Sequence, residues 1–396
     1  MEKPDKKIFT TLFFSILAAV MGVGIVVPLL PVYAHDLGAS GVYIGLIFGA
    51  FSLSRTFLLP YFGRLSDQKG RKPIIVTGLF AYALVSIAFI FSETVETLIL
   101  LRFLQGIASA MIMPVSLAYV GDITPVGREG FSMGLFNMSV FIGLSIGPLM
   151  GGVIKDRFSL QGAFACMGVL AFLGFLLSLF FLPPTKSERV VNREKKPIGW
   201  QHILKDRAIA GLFFFRFTYT ACIGILWGFL PIFADSEFSL SSSSIGVLVM
   251  LAVFISGLIH TPMGILADRL NRVAMVAIGG VMTSAAILSF GWARGFWDLF
   301  LANVLFGLGG GVAMPALMAL AVSKGNKTEA MGSVMALLTM AHSLGMLIGS
   351  LLAGVTMDIF QLRQAFPFGS LIMMIGVGVF VVCSYPTPEQ PEPNRH

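Results

Sequence analysis

"GRLSDQKGRK", residues 63–72, sets four basic side chains and one carboxylate within ten positions of a chain that is 56% hydrophobic and only 12% charged. Soluble domains carry about a quarter charged residues, whereas these 396 residues have a mean hydropathy of +0.87. Outward from this hairpin in both directions run apolar stretches of about 18 residues or more, each long enough to cross a ~30 Å hydrocarbon core as a helix. The ~10-residue alternation of membrane strands is absent. Twelve spans are predicted, near 8–34, 42–63, 73–92, 96–121, 129–154, 160–183, 208–234, 242–264, 272–292, 297–322, 328–355 and 364–385. The chain therefore reads as an all-α membrane protein, with 63–72 as the polar turn between its second and third crossings. The first span outruns a signal peptide's short apolar region and lacks a small-residue cleavage site, so it is expected to be retained.

Charge is distributed unevenly. With the N-terminus in the cytoplasm, 20 of the 27 Lys and Arg lie in cytoplasmic segments and four (Lys155, Arg157, Arg294, Arg363) in the opposite loops. That is the positive-inside pattern. It puts both termini in the cytoplasm, in the cell (inner) membrane, and it accounts for the net charge of +7 without nucleic acid. Cys166, Cys222 and Cys383 fall inside spans with no pairing pattern and read as small hydrophobes, not metal ligands. There is no HExxH and no phosphate-binding loop. The "GLGGG" run at 307–311 lies in an apolar helix with no preceding strand, so a dinucleotide site is rejected. No enzyme activity, cofactor or metal is expected.

The hairpin has an echo, "GILADRLNR" at 264–272, which maps Gly63, Leu65 and Asp67 onto Gly264, Leu266 and Asp268. The same offset carries Gly106 onto Gly307 and "MP" at 113–114 onto "MP" at 314–315. One residue further, "GLSIGPLMGG" (143–152) maps onto "GMLIGSLLAG" (345–354), and Asp156 onto Asp358. This register divides the chain into a six-helix bundle at 1–183, a polar cytoplasmic linker at 184–207 and a second six-helix bundle with a short polar tail at 208–396. Two pseudo-symmetric six-helix halves are a transporter architecture.

On these residues the sequence resembles the major facilitator superfamily over essentially its whole length. The 63–72 hairpin is similar to the family's signature loop, and "LILLRFLQGIASA" (98–110) to its span-four motif with an arginine. "G-x8-G-x3-GP-x2-GG", filled by Gly134, Gly143, Gly147, Pro148, Gly151 and Gly152, is similar to the motif of the drug–proton antiporter branch. The resemblance implies export of amphipathic organic compounds in exchange for protons, by a monomer embedded in lipid.

Physical roles follow for the motif residues. Gly63 permits close approach to a neighbouring helix. Asp67 is placed to cap the N-terminus of span eleven near Thr328, and Asp268 that of span five near residues 128–131, each stabilising by about 1 kcal/mol. The family resemblance implies that Arg71 pairs with Asp122. Pro148 and its small neighbours predict a bent span five packed against the second half.

Embedded charges mark function, and only Arg55, Arg102 and Arg216 lie inside spans. Arg102, Gln105, Ser109 and Met113 form one helical stripe that predicts a water-filled face, with Asn303 and Met314 as mates in span ten and Arg216, Thr220 and Trp227 in span seven. A stretch of span one, with Gly22, Gly24, Pro28 and Pro31, is expected to be irregular and close-packed. By resemblance, spans one, four, seven and ten line the path. Many relatives of this type carry an acid in span one where this chain has Ala19, which leaves Asp36, Asp122, His260 and His342 as proton-coupling candidates. Buried arginines without embedded acids support an alternative, a transporter of an organic anion or nutrient, working in either direction.

In a background lacking the three native cysteines, a cysteine at position 38 is expected to react with an impermeant maleimide from outside the cell. One at position 190 is expected to react only after permeabilisation. Reversed labelling would invert the topology.

Overall fold

The computed structural model describes residues 3–124, 129–183, 206–327 and 331–384. Among them are twelve α-helices, each long and apolar enough to span a bilayer. They are α1 Lys3–Asp36, α2 Gly41–Lys69, α3 Arg71–Ala88, α4 Val95–Ile123, α5 Glu129–Arg157 and α6 Leu160–Phe181, then α7 Arg207–Phe238, α8 Ser242–Ala267, α9 Arg272–Phe290, α10 Phe296–Lys327, α11 Met331–Ile359 and α12 Ala365–Ser384. The expected linker at 184–207 lies outside the described residues as far as 205, and Asp206 and Arg207 already open α7.

Local chemistry sets the helix starts. A helix leaves its first N–H groups without partners, and short polar side chains satisfy them. Thr94, Ser159, Asp206, Ser241 and Asn271 each accept a backbone N–H at the start of α4, α6, α7, α8 and α9. Between α2 and α3 the whole turn is one residue, Gly70, at φ 89°. A side chain there would meet the left-handed steric penalty, so glycine holds the hairpin tight.

Packing repeats itself. α1 packs on α5 and α6, α2 on α4, and α3 on α4 and α6; α7 packs on α11 and α12, α8 on α10, and α9 on α10 and α12. Two further seams join the halves, α2 with α11 and α5 with α8. Prolines do not break the elements: α1 continues through Pro28 and Pro31, and α5 through Pro148. The irregular stretch expected in span one is thus a continuous helix, kept close to α5 at Gly24, where a Cβ would sit 2.9 Å from Pro148.

The span-five motif divides its work. Gly143, Gly147 and Gly151 face Val20, Met21, Gly24 and Ile25 of α1, within their own half. Gly152 alone among the motif glycines meets the second half, where a Cβ would stand 2.1 Å from the Ser242 carbonyl; the Pro148 carbonyl lies against Gly246 beside it. Gly134 has open space around it. The expected packing against the second half is therefore confined to 148–152, while the rest of the motif holds α1.

Gly147→Leu is expected to force α1 from α5, since even a Cβ would lie 2.4 Å from the Met21 carbonyl. An overpacking cost of about 1–3 kcal/mol or more should show as a lowered unfolding temperature in detergent. Gly134→Leu should leave that temperature unchanged.

Candidate transport pathway and its gates

Helices α2 and α8 begin on the face opposite the two chain ends, each against the other half. Asp358, near the end of α11, accepts the backbone N–H groups of Gly41 at 2.6 Å and Val42 at 2.9 Å. Asp156, near the end of α5, accepts those of Ser242 at 3.1 Å and Ser243 at 2.7 Å. The Ser350 hydroxyl donates to the Gly45 carbonyl at 3.1 Å along the same seam. Backbones nearly touch there: a Cβ on Gly41 would lie 2.3 Å from the Gly354 carbonyl, and one on Gly45 2.6 Å from that of Ser350. Between described residues, the hydrogen bonds that join the halves sit on this face.

The face carrying the chain ends differs. Among the described residues, Gly63 has nothing within 4 Å of a Cβ position, and Gly264 meets only Pro315 of its own half at 3.9 Å. The close helix approach expected at Gly63 is therefore not made by the described residues. Asp67 forms an ion pair with Arg71 inside its own hairpin, and Asp268 pairs with Arg272 at 3.2 Å. Thr328 and residues 125–128, near the helix starts that these aspartates are placed to cap, lie outside the described residues. Arg71 also reaches Asp122 at 3.0 Å and the Ser66 hydroxyl at 2.7 Å, so one guanidinium ties α2, α3 and α4. Its counterpart Arg272 bonds Asp268 and the Ala267 carbonyl.

The embedded arginines separate into two environments. Arg102 is 4% exposed, within the first half. Its Nη1 donates to Gln105 at 2.7 Å and its Nε to the Ile47 carbonyl at 3.4 Å, and its guanidinium lies 4.5 Å from the Phe51 ring centroid. Gln105 in turn donates to the Tyr82 hydroxyl at 2.8 Å. A water-filled face was expected here; the structure instead stacks the cation on aromatic carbon and satisfies it internally, which lets it stay buried. Ser109 and Met113, further along α4, are half-buried.

Arg55 and Arg216 are arranged differently. Arg216 donates from Nη1 to the Met314 sulfur at 2.7 Å, and its Nη2 lies 3.4 Å from His342 Nδ1. Arg55 comes from the other half: α2 runs antiparallel along α11, with Gly41 against Gly354, Gly45 against Ser350 and Gly49 against Leu347, a register that carries Arg55 toward His342. The Nε atoms of both arginines are buried without a hydrogen-bond partner among the described residues. Nothing in the spacing of Arg55, Arg216 and His342 along the chain signals this convergence.

The remaining candidates scatter. Thr220 bonds backbone carbonyls of its own helix and the Ala341 carbonyl, and Asn303 donates to Leu299 one turn back at 2.8 Å. Both serve packing. Trp227 is half-buried against the core of the second half. Asp36 is exposed at the end of α1. His260 has a buried Nδ1 without a partner, and its ring centroid lies 5.5 Å from that of Phe141 across the α5–α8 seam. Among the described residues no group of His, Cys, Asp and Glu is arranged to hold a metal.

Two repeated six-helix bundles, each capping a helix start of the other on one face, define the class of a membrane transporter. The sequence profile of the Major Facilitator Superfamily matches residues 12–232 and 212–396, and the chain belongs to that superfamily. It is a multi-pass membrane transporter of small molecules, not an enzyme. An MFS-type transporter of Methanocaldococcus jannaschii is 30% identical over 387 residues, covering 96% of this chain and 98% of that one. Multidrug resistance protein 2 of Bacillus subtilis is 27% identical, with 96% and 95% covered. Among solved structures, a bacterial homolog of the human lysosomal transporter Spinster superposes with a TM-score of 0.83 at 14% identity, covering 97% of this chain and 98% of that one.

Arg102→Ala is expected to lower stability by about 2–4 kcal/mol, the worth of a buried cation–π contact plus a charged hydrogen bond. The measurement is the unfolding temperature in detergent, alongside ligand affinity in the folded fraction. Loss of affinity with stability intact would return Arg102 to the pathway.

Proposed function

We propose that this protein exports amphipathic organic compounds by alternating access, as a monomer, in exchange for protons. Both chain ends face the cytoplasm in this reading, following the excess of Lys and Arg on their side, and the conformation described is the one open to the cytoplasm. The observation that carries it is the one-sided clamp. Four backbone N–H groups at two helix starts are satisfied by carboxylates of the opposite half on one face, while on the other Gly63 and Gly264 meet no described residue of the opposite half. Opening the clamped face requires both caps to release, and Asp67 and Asp268 are then placed to make the equivalent contacts at the cytoplasmic face. Such two-state exchange about a central site is what moves a solute across a bilayer.

The similarity to multidrug resistance protein 2 of Bacillus subtilis supports drug-like cargo, and resistance is what export of such cargo would give. For proton exchange the embedded titratable groups are His260 and His342, since the carboxylates lie at helix ends. In everted vesicles with an acidic lumen, a panel of fluorescent amphipathic compounds, cationic, neutral and anionic, is expected to include some that accumulate. Accumulation should collapse with the pH gradient and fall in His342→Gln or His260→Gln. Uptake of no compound would defeat the export reading, and uptake indifferent to the gradient would defeat proton exchange.

The clamp has its own test. At about 1 kcal/mol per lost cap, Asp156→Ala with Asp358→Ala is expected to shift the closed-to-open ratio of that face by roughly thirtyfold. Spin labels at Phe158 and Phe360, exposed positions in opposite halves, report that distance. An unchanged distance distribution would contradict the clamp.

A further inference from the structure

Along the α2–α11 seam the register of Gly45 with Ser350 and Gly49 with Leu347 carries Arg55 of the first half toward His342, which Arg216 of α7 reaches at 3.4 Å. Arg55 makes no hydrogen bond or ion pair with any described residue, and Arg216 contacts only a thioether and an imidazole outside its own helix. No acid is available nearby along these helices. The stretches 37–66, 208–234 and 332–357, which contain all three residues, hold no Asp or Glu. Uncompensated charge inside a membrane-spanning bundle is costly and persists where it serves a function.

We propose that Arg55, Arg216 and His342 form a binding site for the carboxylate or sulfonate of an amphipathic organic anion. A guanidinium presents planar paired donors that match such a group. Here two of them approach from opposite halves, and Met314 offers a soft, adaptable surface for the apolar body. The position also gives the ligand a mechanical role. Two like charges on separate halves repel as the halves close around them, and a bound anion reverses the sign of that interaction. A ligand that binds one conformation better shifts the equilibrium toward it. The proposal rests on the alternating-access reading but not on proton exchange, because an inside-negative potential itself drives an anion outward.

The test uses the full-length protein in nanodiscs with dansylglycine, its uncharged methyl ester and ethidium as probes. Dansylglycine is expected to bind at least tenfold more tightly than its ester. Arg55→Gln and Arg216→Gln should each weaken the acid tenfold or more and leave the ester unchanged, whereas Arg55→Lys and Arg216→Lys retain part of the preference. Unfolding temperatures of all four variants identify any loss due to misfolding, and the Lys variants keep the charge question open to measurement in that event. Absence of a preference for the acid, or its survival in both Gln variants, overturns the anion site. Ethidium accumulation in everted vesicles is expected to survive both Gln variants; its loss together with that of the acid preference, in variants that stay folded, overturns a site specific for anions while leaving the export reading standing.

Discussion

A helix that begins at the edge of a bilayer exposes N–H groups that neither lipid nor its own turns can satisfy. In this chain two such helices, α2 and α8, find their acceptors on the opposite half, in Asp358 and Asp156. The dependence is reciprocal, since each half supplies one carboxylate and receives another. Neither half completes its own hydrogen bonding on that face, and so the arrangement of the two bundles follows from backbone chemistry as much as from apolar burial.

Small residues make the contact feasible. Carboxylates reach the helix starts because Gly41, Gly152 and Gly354 let main chains approach to distances a side chain forbids. In lipid, where apolar surface gains little by leaving its surroundings, close backbone contact and polar bonds across it are the main sources of helix association. The same logic explains why α1 lies along α5 at Gly24, Gly143 and Gly147, deep inside one half. One motif thus serves two purposes: a lengthwise seam within a bundle, and a terminal contact between bundles.

Much of this was legible in the amino-acid sequence. Hydropathy gave the twelve crossings because desolvation of a ~20-residue helix is a property of composition. The offset of Asp156 to Asp358 was visible too, yet it carried no meaning until the helix starts opposite were known. The sequence places interhalf capping at Asp67 and Asp268, on the face where the receiving helix starts adjoin undescribed residues; the structure shows caps of that kind at Asp156 and Asp358, on the opposite face. Arg102 and Arg216 look alike in sequence, each an arginine amid apolar residues. Only packing separates them, because Phe48, Phe51 and Gln105 surround the first, while Met314 and His342 stand beside the second. Pattern reports that a charge is embedded, not what stands beside it.

The two polar hairpins differ at one position with a mechanical result. Asp122 gives Arg71 an anchor on α4, while the matching position in the second half is Ser323, and Arg272 finds its bonds within the α8–α9 turn. In the first half, three helix ends are thereby riveted at the edge that carries the chain ends. In the second, α10 is tied instead to the start of α7, where Lys324 pairs with Asp206 at 3.2 Å. The two bundles are accordingly braced by different means at that edge: a shared guanidinium in one, and a lysine reaching the cap of the bundle's first helix in the other.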